Sequence, residues 1–276
     1  MWLIAMPYMF TCFCDSQQCL SYKLAEGKVK KPLPIATLFV DVGGVLLTNG
    51  WDHHARRRAA KHFMLNRAEM DQRHRLVFET HEEGKLSFDE YLAWVVFYEK
   101  RPFTRNQFRD FMFAQSEPYP KMIELVTQLK VQLGLKIVVV SNESREVNAY
   151  RIRTFKLDRI VDTFISSCFV RMRKPDVEIF RLALDLAQTA PSQAVFIDNT
   201  PMFVQVAERL GYKAFFIWIT DPPVQSWPYS DCRREEQPSR IRSSTVLSKL
   251  VKQRRTIRCQ PTCSPPRNCY TRHLRQ

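Results

Sequence analysis

The stretch from Ile35 to Leu47, Ile-Ala-Thr-Leu-Phe-Val-Asp-Val-Gly-Gly-Val-Leu-Leu, limits what this chain can fold into. An apolar run with Leu38, Phe39 and Val40 in succession suits a strand covered on both faces, as in a parallel sheet. Such a strand ends on a carboxylate, Asp41, where that group sits at the open carboxyl edge of the sheet. That edge is where ligands bind in open α/β folds. Gly43 and Gly44 follow at once and allow a sharp turn or a close approach to a ligand. Taken alone, the stretch is equally a strand capped by a turn aspartate, with Gly-Gly as the turn. Later segments decide between the two.

After Leu47 the pattern turns helical. His53 to Leu65 is rich in Arg, Ala and Lys. Asn66-Arg-Ala-Glu69, Ser87-Phe-Asp-Glu90 and Thr104-Arg-Asn-Gln107 each predict a capping-box helix start. Tyr91, Leu92, Trp94, Val95 and Tyr98 are expected to form one amphipathic face, and Phe108, Phe111 and Met112 another. These aromatics point to helix packing rather than a cofactor box. Residues 50–113 are therefore expected to form a small all-helical unit inserted after the first strand. Strands and helices alternate from there on. A helix runs from Pro120 to Gly134, and a strand over 136–140 ends in Ser141-Asn142. A helix over 145–155 and a strand over 161–165 follow. Arg173-Lys174-Pro175-Asp176 precedes another helix, a strand over 194–197 ends in Asp198-Asn199, a helix spans 201–210, and the last strand spans 214–220. This alternation predicts an α/β fold with a Rossmann-like, three-layer parallel-sheet core over 35–49 and 114–222.

Side chains at the carboxyl ends of neighbouring parallel strands point into one crevice. Here those ends carry Asp41, Ser141 and Asp198, with Lys174 before a helix on the same side. Singly, each acid reads as a turn residue and Lys174 as a surface charge; together they form a compact chemical set. Two carboxylates repel unless a cation lies between them. Mg²⁺ is the natural candidate, a hard ion held by carboxylates and substrate phosphate. Asp41 is then placed to attack phosphorus. Ser141 and Lys174 are placed to hold and neutralise the phosphoryl oxygens.

The four segments, in order, spacing and strand-end placement, resemble the four motifs of the haloacid dehalogenase (HAD) superfamily. Phe39-Val-Asp41-Val-Gly-Gly-Val-Leu46 is similar to its nucleophile motif, and Val139-Val-Ser141-Asn142 to its second. Arg173-Lys174-Pro175-Asp176 is similar to the third, and Phe196-Ile-Asp198-Asn199 to the acidic fourth. The resemblance implies Asp41 as nucleophile, with Ser141, Asn142 and Lys174 binding substrate. It implies Mg²⁺ held by Asp41, the main-chain carbonyl of Gly43 and Asp198. It also implies that the helical insert is a cap, of the kind inserted after the first strand, that covers the site. The activity implied is hydrolysis of a small phosphorylated metabolite through an aspartyl-phosphate. A 2-haloacid dehalogenase and a catalytically weak ligand-binding member are the alternatives. The chain departs from the family pattern at three positions. Gly43 stands where phosphatases of the family usually carry a second Asp, a positioned acid/base worth about 10²–10⁴ in rate. Asn199 replaces the second acid of the fourth motif, and Phe203 replaces the polar residue that usually orients it. His53 and His54, just past the first motif, titrate near neutrality and are candidates for a substitute acid; the bland alternative is a pair of exposed helix-start histidines. Arg56, Arg57 and Arg58 would draw in an anionic substrate or form a solvated face.

The formal charge of +14 is unevenly placed. Twelve Lys and Arg against three acids fall after residue 223, in a Ser/Pro/Arg-rich stretch expected to be a disordered tail. Such a tail binds nucleic acid only non-specifically. Cys259, Cys263, Cys269 and His273 match no standard zinc spacing. Residues 1–34 read as an apolar leader and linker, too short for a membrane span and without a basic secretion-signal start. Both ends are expected to be peripheral. A single cysteine in the body, Cys168, points to a reducing, cytoplasmic setting.

Overall fold

The computed structural model describes residues 34–219. Most of the leader, the basic tail and the Cys259, Cys263, Cys269 and His273 group lie outside the described residues. After β1 (Thr37–Val40) come α1 (His53–His62), α2 (Arg67–Glu82), α3 (Phe88–Val95) and α4 (Arg105–Phe113). Then follow α5 (Pro120–Leu133), β2 (Lys136–Ser141), α6 (Arg145–Thr154), β3 (Thr163–Ser166), α7 (Ser167–Val170) and α8 (Val177–Ala187). The chain continues through β4 (Ala194–Asp198), α9 (Pro201–Arg209) and β5 (Lys213–Phe216). The five strands form one parallel sheet in the order β3-β2-β1-β4-β5. The chain winds outward from β1 to β3, then returns to place β4 on the other side of β1. That reversal opens a crevice at the carboxyl ends of β1 and β4.

Alternation along β1 divides the core. Leu38 and Val40 face α5 and pack with Met122, Leu125, Val126 and Leu129. Phe39 faces the other way, toward Ile179, Phe180 and Ala183 of α8 and Ala207 of α9. Both faces are covered, so the strand is wholly buried, as its unbroken apolar run requires. The α/β, Rossmann-like three-layer fold is the one expected.

The helices α1–α4 form a unit with an apolar cluster of its own, including Ala59, Met70, Phe88, Tyr91, Leu92 and Phe108. Ser87 and Thr104 each make a complete capping box, with Glu90 and Gln107 respectively. Asn66 accepts from the Glu69 N–H at 3.2 Å. Trp94 corrects one expectation, being 54% exposed. Phe88, Tyr91, Leu92 and Val95 take the inward face of α3, and Trp94 lies outside it. The helix ends at Val95, so Tyr98 is not on it; the Arg73 guanidinium lies 3.5 Å over the Tyr98 ring instead. β3 begins at Thr163 rather than Val161, because Asp162 accepts from the Ile137 N–H at 2.8 Å and from Lys130 Nζ at 2.7 Å.

The two segments that join the helical unit to the sheet run side by side. Leu47 and Pro118 bridge antiparallel, Thr48 N–H donates to Glu117 O at 2.8 Å, and Tyr119 N–H donates to Leu46 O at 2.9 Å.

Candidate active site

Register sets the site. Val40 pairs with Val139 on one side and Ile197 on the other, so Asp41 and Asp198 come level at the sheet edge, with Ser141 one strand away. The Asp41 N–H still donates to Ile197 O at 3.0 Å, and Asp41 Oδ1 accepts from the next N–H, of Val42, at 2.8 Å. The carboxylate is thus oriented by its own backbone. Ser141 is buried at the end of β2.

Lys174 comes into this edge from the segment between α7 and α8, and it is wholly buried. Its Nζ donates to Asp198 Oδ2 at 2.6 Å and lies 3.2 Å from Asp41 Oδ1. The rings of Phe203 and Phe196 lie 5.1 and 5.7 Å from the ammonium. One buried cation stands between two carboxylates. Burial alone would lower the Lys174 pKa, but the two carboxylates outweigh it and raise it. Burial raises Asp198 to about 6 against the pull of Lys174, and the Asp41 charge adds to the rise. Sequence reasoning called for a cation between the two acids. Part of that cation is supplied by the chain itself.

Asn142 holds Lys174 in place. Its Oδ1 accepts from Lys174 N–H at 2.8 Å and its Nδ2 donates to Lys174 O at 2.9 Å. The side chain expected to bind substrate is thus engaged with the backbone that presents the lysine. Phe203, a departure from the family pattern, packs over the ammonium rather than bonding the fourth motif. Asn199 Nδ2 donates to Asn49 Oδ1 at 3.2 Å, which ties the end of β4 to the loop after β1. Gly44 makes this possible: its φ is +72°, and a Cβ there would fall 1.9 Å from Asn199 Nδ2.

Gly43 differs. A Cβ at this position would meet Asn49 Oδ1 at 3.5 Å and Arg151 Nη1 at 3.7 Å, which are ordinary contacts. What borders that space is a buried ion pair that sequence reasoning missed. Arg151 of α6 pairs with Glu143, and both are almost wholly buried. Arg151 also donates to Ser116 Oγ at 3.0 Å and to Thr48 O at 3.1 Å, so it grips both segments leading to the helical unit. Burial pushes Glu143 up to about 7, against the pull of Arg151, and the Asp41 charge contributes. A second missed pairing joins Arg173, next to Lys174, to Glu82 at 2.8 Å and Glu79 at 2.9 Å on α2. Burial raises Glu82 despite Arg173, again with a contribution from Asp41. No periodicity marks these partners, which lie 8 to 94 residues apart.

His53 and His54 are exposed at the start of α1, capped by Asp52, with ring centroids 3.9 Å apart. Burial and the neighbouring His53 hold the His54 pKa down. Ligand atoms of Asp52, His53 and His54 lie within 4.8 Å of one another. They sit at a positive helix end beside Arg56, Arg57 and Arg58, a field that opposes a cation. For Mg²⁺ the better donor set is at the sheet edge. Two carboxylates converging on one ammonium beside a glycine main chain offer the hard oxygens this ion takes, so the residues present fit it.

A parallel sheet in the order β3-β2-β1-β4-β5 with paired acids at its switch point is an open, Rossmann-like α/β fold with its candidate site at the strand ends. The family profile described as haloacid dehalogenase-like hydrolase matches residues 35–211, and the chain belongs to that family. Its curated relatives include (S)-2-haloacid dehalogenase 4A of Burkholderia cepacia, 25% identical over 100 residues, which are 36% of this chain and 43% of that protein. Haloacid dehalogenase-like hydrolase domain-containing protein 3 of Xenopus laevis is 31% identical over 96 residues, 34% of this chain and 39% of that one. These matches span less than half the length of either relative. Among solved structures, a HAD family enzyme of Bacteroides thetaiotaomicron in complex with magnesium and inorganic phosphate is 19% identical. That likeness covers 70% of this chain and 98% of that one, with a TM-score of 0.55, and is a likeness of fold.

Proposed function

We propose that this chain is a Mg²⁺-dependent phosphatase of a small phosphorylated metabolite. One observation carries the reading: Asp41 and Asp198, far apart in sequence, converge on Lys174 Nζ at the carboxyl edge of the sheet. Asp41 is the nucleophile and forms the aspartyl-phosphate. Lys174 neutralises charge at the phosphoryl group, Ser141 donates to its oxygens, and Asn142 contributes by fixing Lys174. Asp41, the Gly43 carbonyl and Asp198 would hold Mg²⁺, which supplies further positive charge to the phosphoryl oxygens. The helices α1–α4 act as the cap, and Arg173 pairing with Glu79 and Glu82 is one of their attachments to the core. We place the protein in the cytoplasm: among the described residues the one cysteine, Cys168, is a buried free thiol, and no helix is long and apolar enough to cross a membrane. Nucleic acid is not a dedicated partner; the basic tail would bind it only non-specifically.

The test is turnover of p-nitrophenyl phosphate and a panel of metabolite phosphates with Mg²⁺. Asp41→Asn and chelation are each expected to abolish it; activity untouched by either overturns the reading. A second reading, 2-haloacid dehalogenase, draws on Gly43 and on the Burkholderia relative. The buried Asp198–Lys174 pair argues against it, because attack on carbon needs no acid at the end of β4. Halide release from 2-chloropropionate distinguishes the two. Binding of phosphorylated ligands without turnover would favour a ligand-binding role.

A further inference from the structure

The helical unit meets the sheet edge through a run of polar contacts that the proposed chemistry leaves unused. At its centre is Ser167, the first residue of α7, which is wholly buried. Its Oγ accepts from the Glu143 N–H at 2.9 Å and lies 2.6 Å from the Glu82 carbonyl of α2. A hydroxyl has one proton to give, and the Glu82 carbonyl takes it; the Glu143 carbonyl is farther off, at 3.4 Å. One hydroxyl therefore joins the helical unit to the segment after β2. The fit is close. Gly84, at φ +66°, brings the end of α2 so near α7 that a Cβ would fall 2.2 Å from Cys168 O.

Contacts run from this hydroxyl in two directions. The Glu82 carboxylate accepts from Arg173 Nε at 3.2 Å and Nη2 at 2.8 Å, and Arg173 adjoins Lys174. Glu143 follows Asn142, whose side chain fixes the Lys174 backbone, and its carboxylate pairs with Arg151. Arg151 in turn donates to Thr48 O and Ser116 Oγ on the two segments that join the helical unit to the sheet. Glu82 and Glu143 both feel the Asp41 charge, so these contacts pass beside the edge that carries Asp41.

We propose that Ser167 is a positioning residue that makes the placement of Lys174 depend on the seating of the helical unit. It touches neither substrate nor metal. Its hydroxyl holds the Asn142-Glu143 segment, which presents Lys174, in register with the α2 end that grips Arg173. Without that hydroxyl the Glu82 carbonyl and the Glu143 N–H lose their shared partner, and the segment is free to shift against α2. A misplacement of about 1 Å in a group aimed at the reacting atoms costs about 10²-fold in rate. The consequence for turnover rests on the phosphatase reading above; the consequence for seating does not.

The test compares Ser167→Ala with Thr37→Val in the full-length chain. Thr37 is buried at the start of β1, the end away from Asp41, and its Oγ1 lies 2.6 Å from Thr189 Oγ1, so this control also deletes one buried hydroxyl contact. With p-nitrophenyl phosphate and Mg²⁺, Ser167→Ala is expected to lower kcat by about 10- to 10²-fold with little change in KM, and Thr37→Val to leave kcat unchanged. Glu82→Gln, which weakens the next link, is expected to act in the same direction, and the double variant to lose much less than the product of the two single losses. Amide hydrogen exchange reads the seating without substrate. The Thr48 and Glu117 N–H groups bond across the two linking segments, and in Ser167→Ala both are expected to exchange at least about tenfold faster than in Thr37→Val. Equal exchange in the two variants, or a kcat loss no larger in Ser167→Ala than in Thr37→Val, overturns the inference and leaves the phosphatase reading intact. A wild-type chain with no turnover and no phosphate trapped on Asp41 overturns the phosphatase reading, and the exchange rates alone then decide the role of Ser167.

Discussion

Lys174 carries its charge where no solvent reaches it, and its worth lies in what its removal would leave. Lys174→Met would strand Asp41 and Asp198 facing each other, with Asp198 fully buried and Asp41 nearly so. Removing one partner of a buried ion pair costs roughly 3–5 kcal/mol, so urea unfolding of this variant is expected to show a loss of that order. A loss below about 1 kcal/mol, the size typical of exposed pairs, would mean that the cluster is open to water. At this scale the sequence was legible where chemistry follows strand ends. Asp41, Ser141 and Asp198 come to one edge, because the end of a strand can be read from where its apolar run stops, and Lys174 reaches the same edge from the segment between α7 and α8. Glu143 and Arg151 were not legible. Each is a lone charge among mixed neighbours, and burial is a property of what the chain folds against them.

Among the elements, the helical unit rests on local rules. Ser87 and Thr104 satisfy the first-turn N–H groups of α3 and α4 through reciprocal capping boxes. Ser87→Ala and Thr104→Ala are each expected to cost about 1 kcal/mol, read from the urea midpoint. His81 of α2 behaves otherwise. It stacks on Tyr91 with centroids 4.4 Å apart, its Nδ1 meets Leu86 O at 3.1 Å, and its Nε2 has no hydrogen-bond partner. Burial holds its pKa down to about 4, from an ordinary 6.5. Between those values the unfolded chain binds a proton that the folded chain refuses, so this group lowers stability as pH falls through that window. His81→Phe removes the dependence. Its stability relative to wild type is expected to improve by roughly 1–2 kcal/mol between pH 7 and pH 5, and an unchanged difference would show that His81 accepts its proton in place. The capping boxes were readable because they are four-residue patterns. Trp94 was misplaced on the inner face, because a short helix leaves its rim positions to be decided by neighbours.

For the whole molecule, residues 34–219 contain both faces of the sheet and the cluster of the helical unit. The family match, residues 35–211, falls within the same span. A chain trimmed to 34–222 is expected to unfold within a few degrees of the full chain and to keep its activity. A trimmed chain that aggregates or loses turnover would show that an end segment takes part. The sequence by itself determined the alternation of strands and helices, the place of the helical insertion and the four residues at the sheet edge. Those follow from hydrophobic period and from short turn and cap patterns, which act over a few residues. Only the tertiary structure decided that Lys174 lies between the two acids, that Asn142 holds it, and that Arg151 stands beside Gly43. These are meetings between segments remote along the chain, and the energy that selects them, charge desolvated and paired, exists only once the layers have closed.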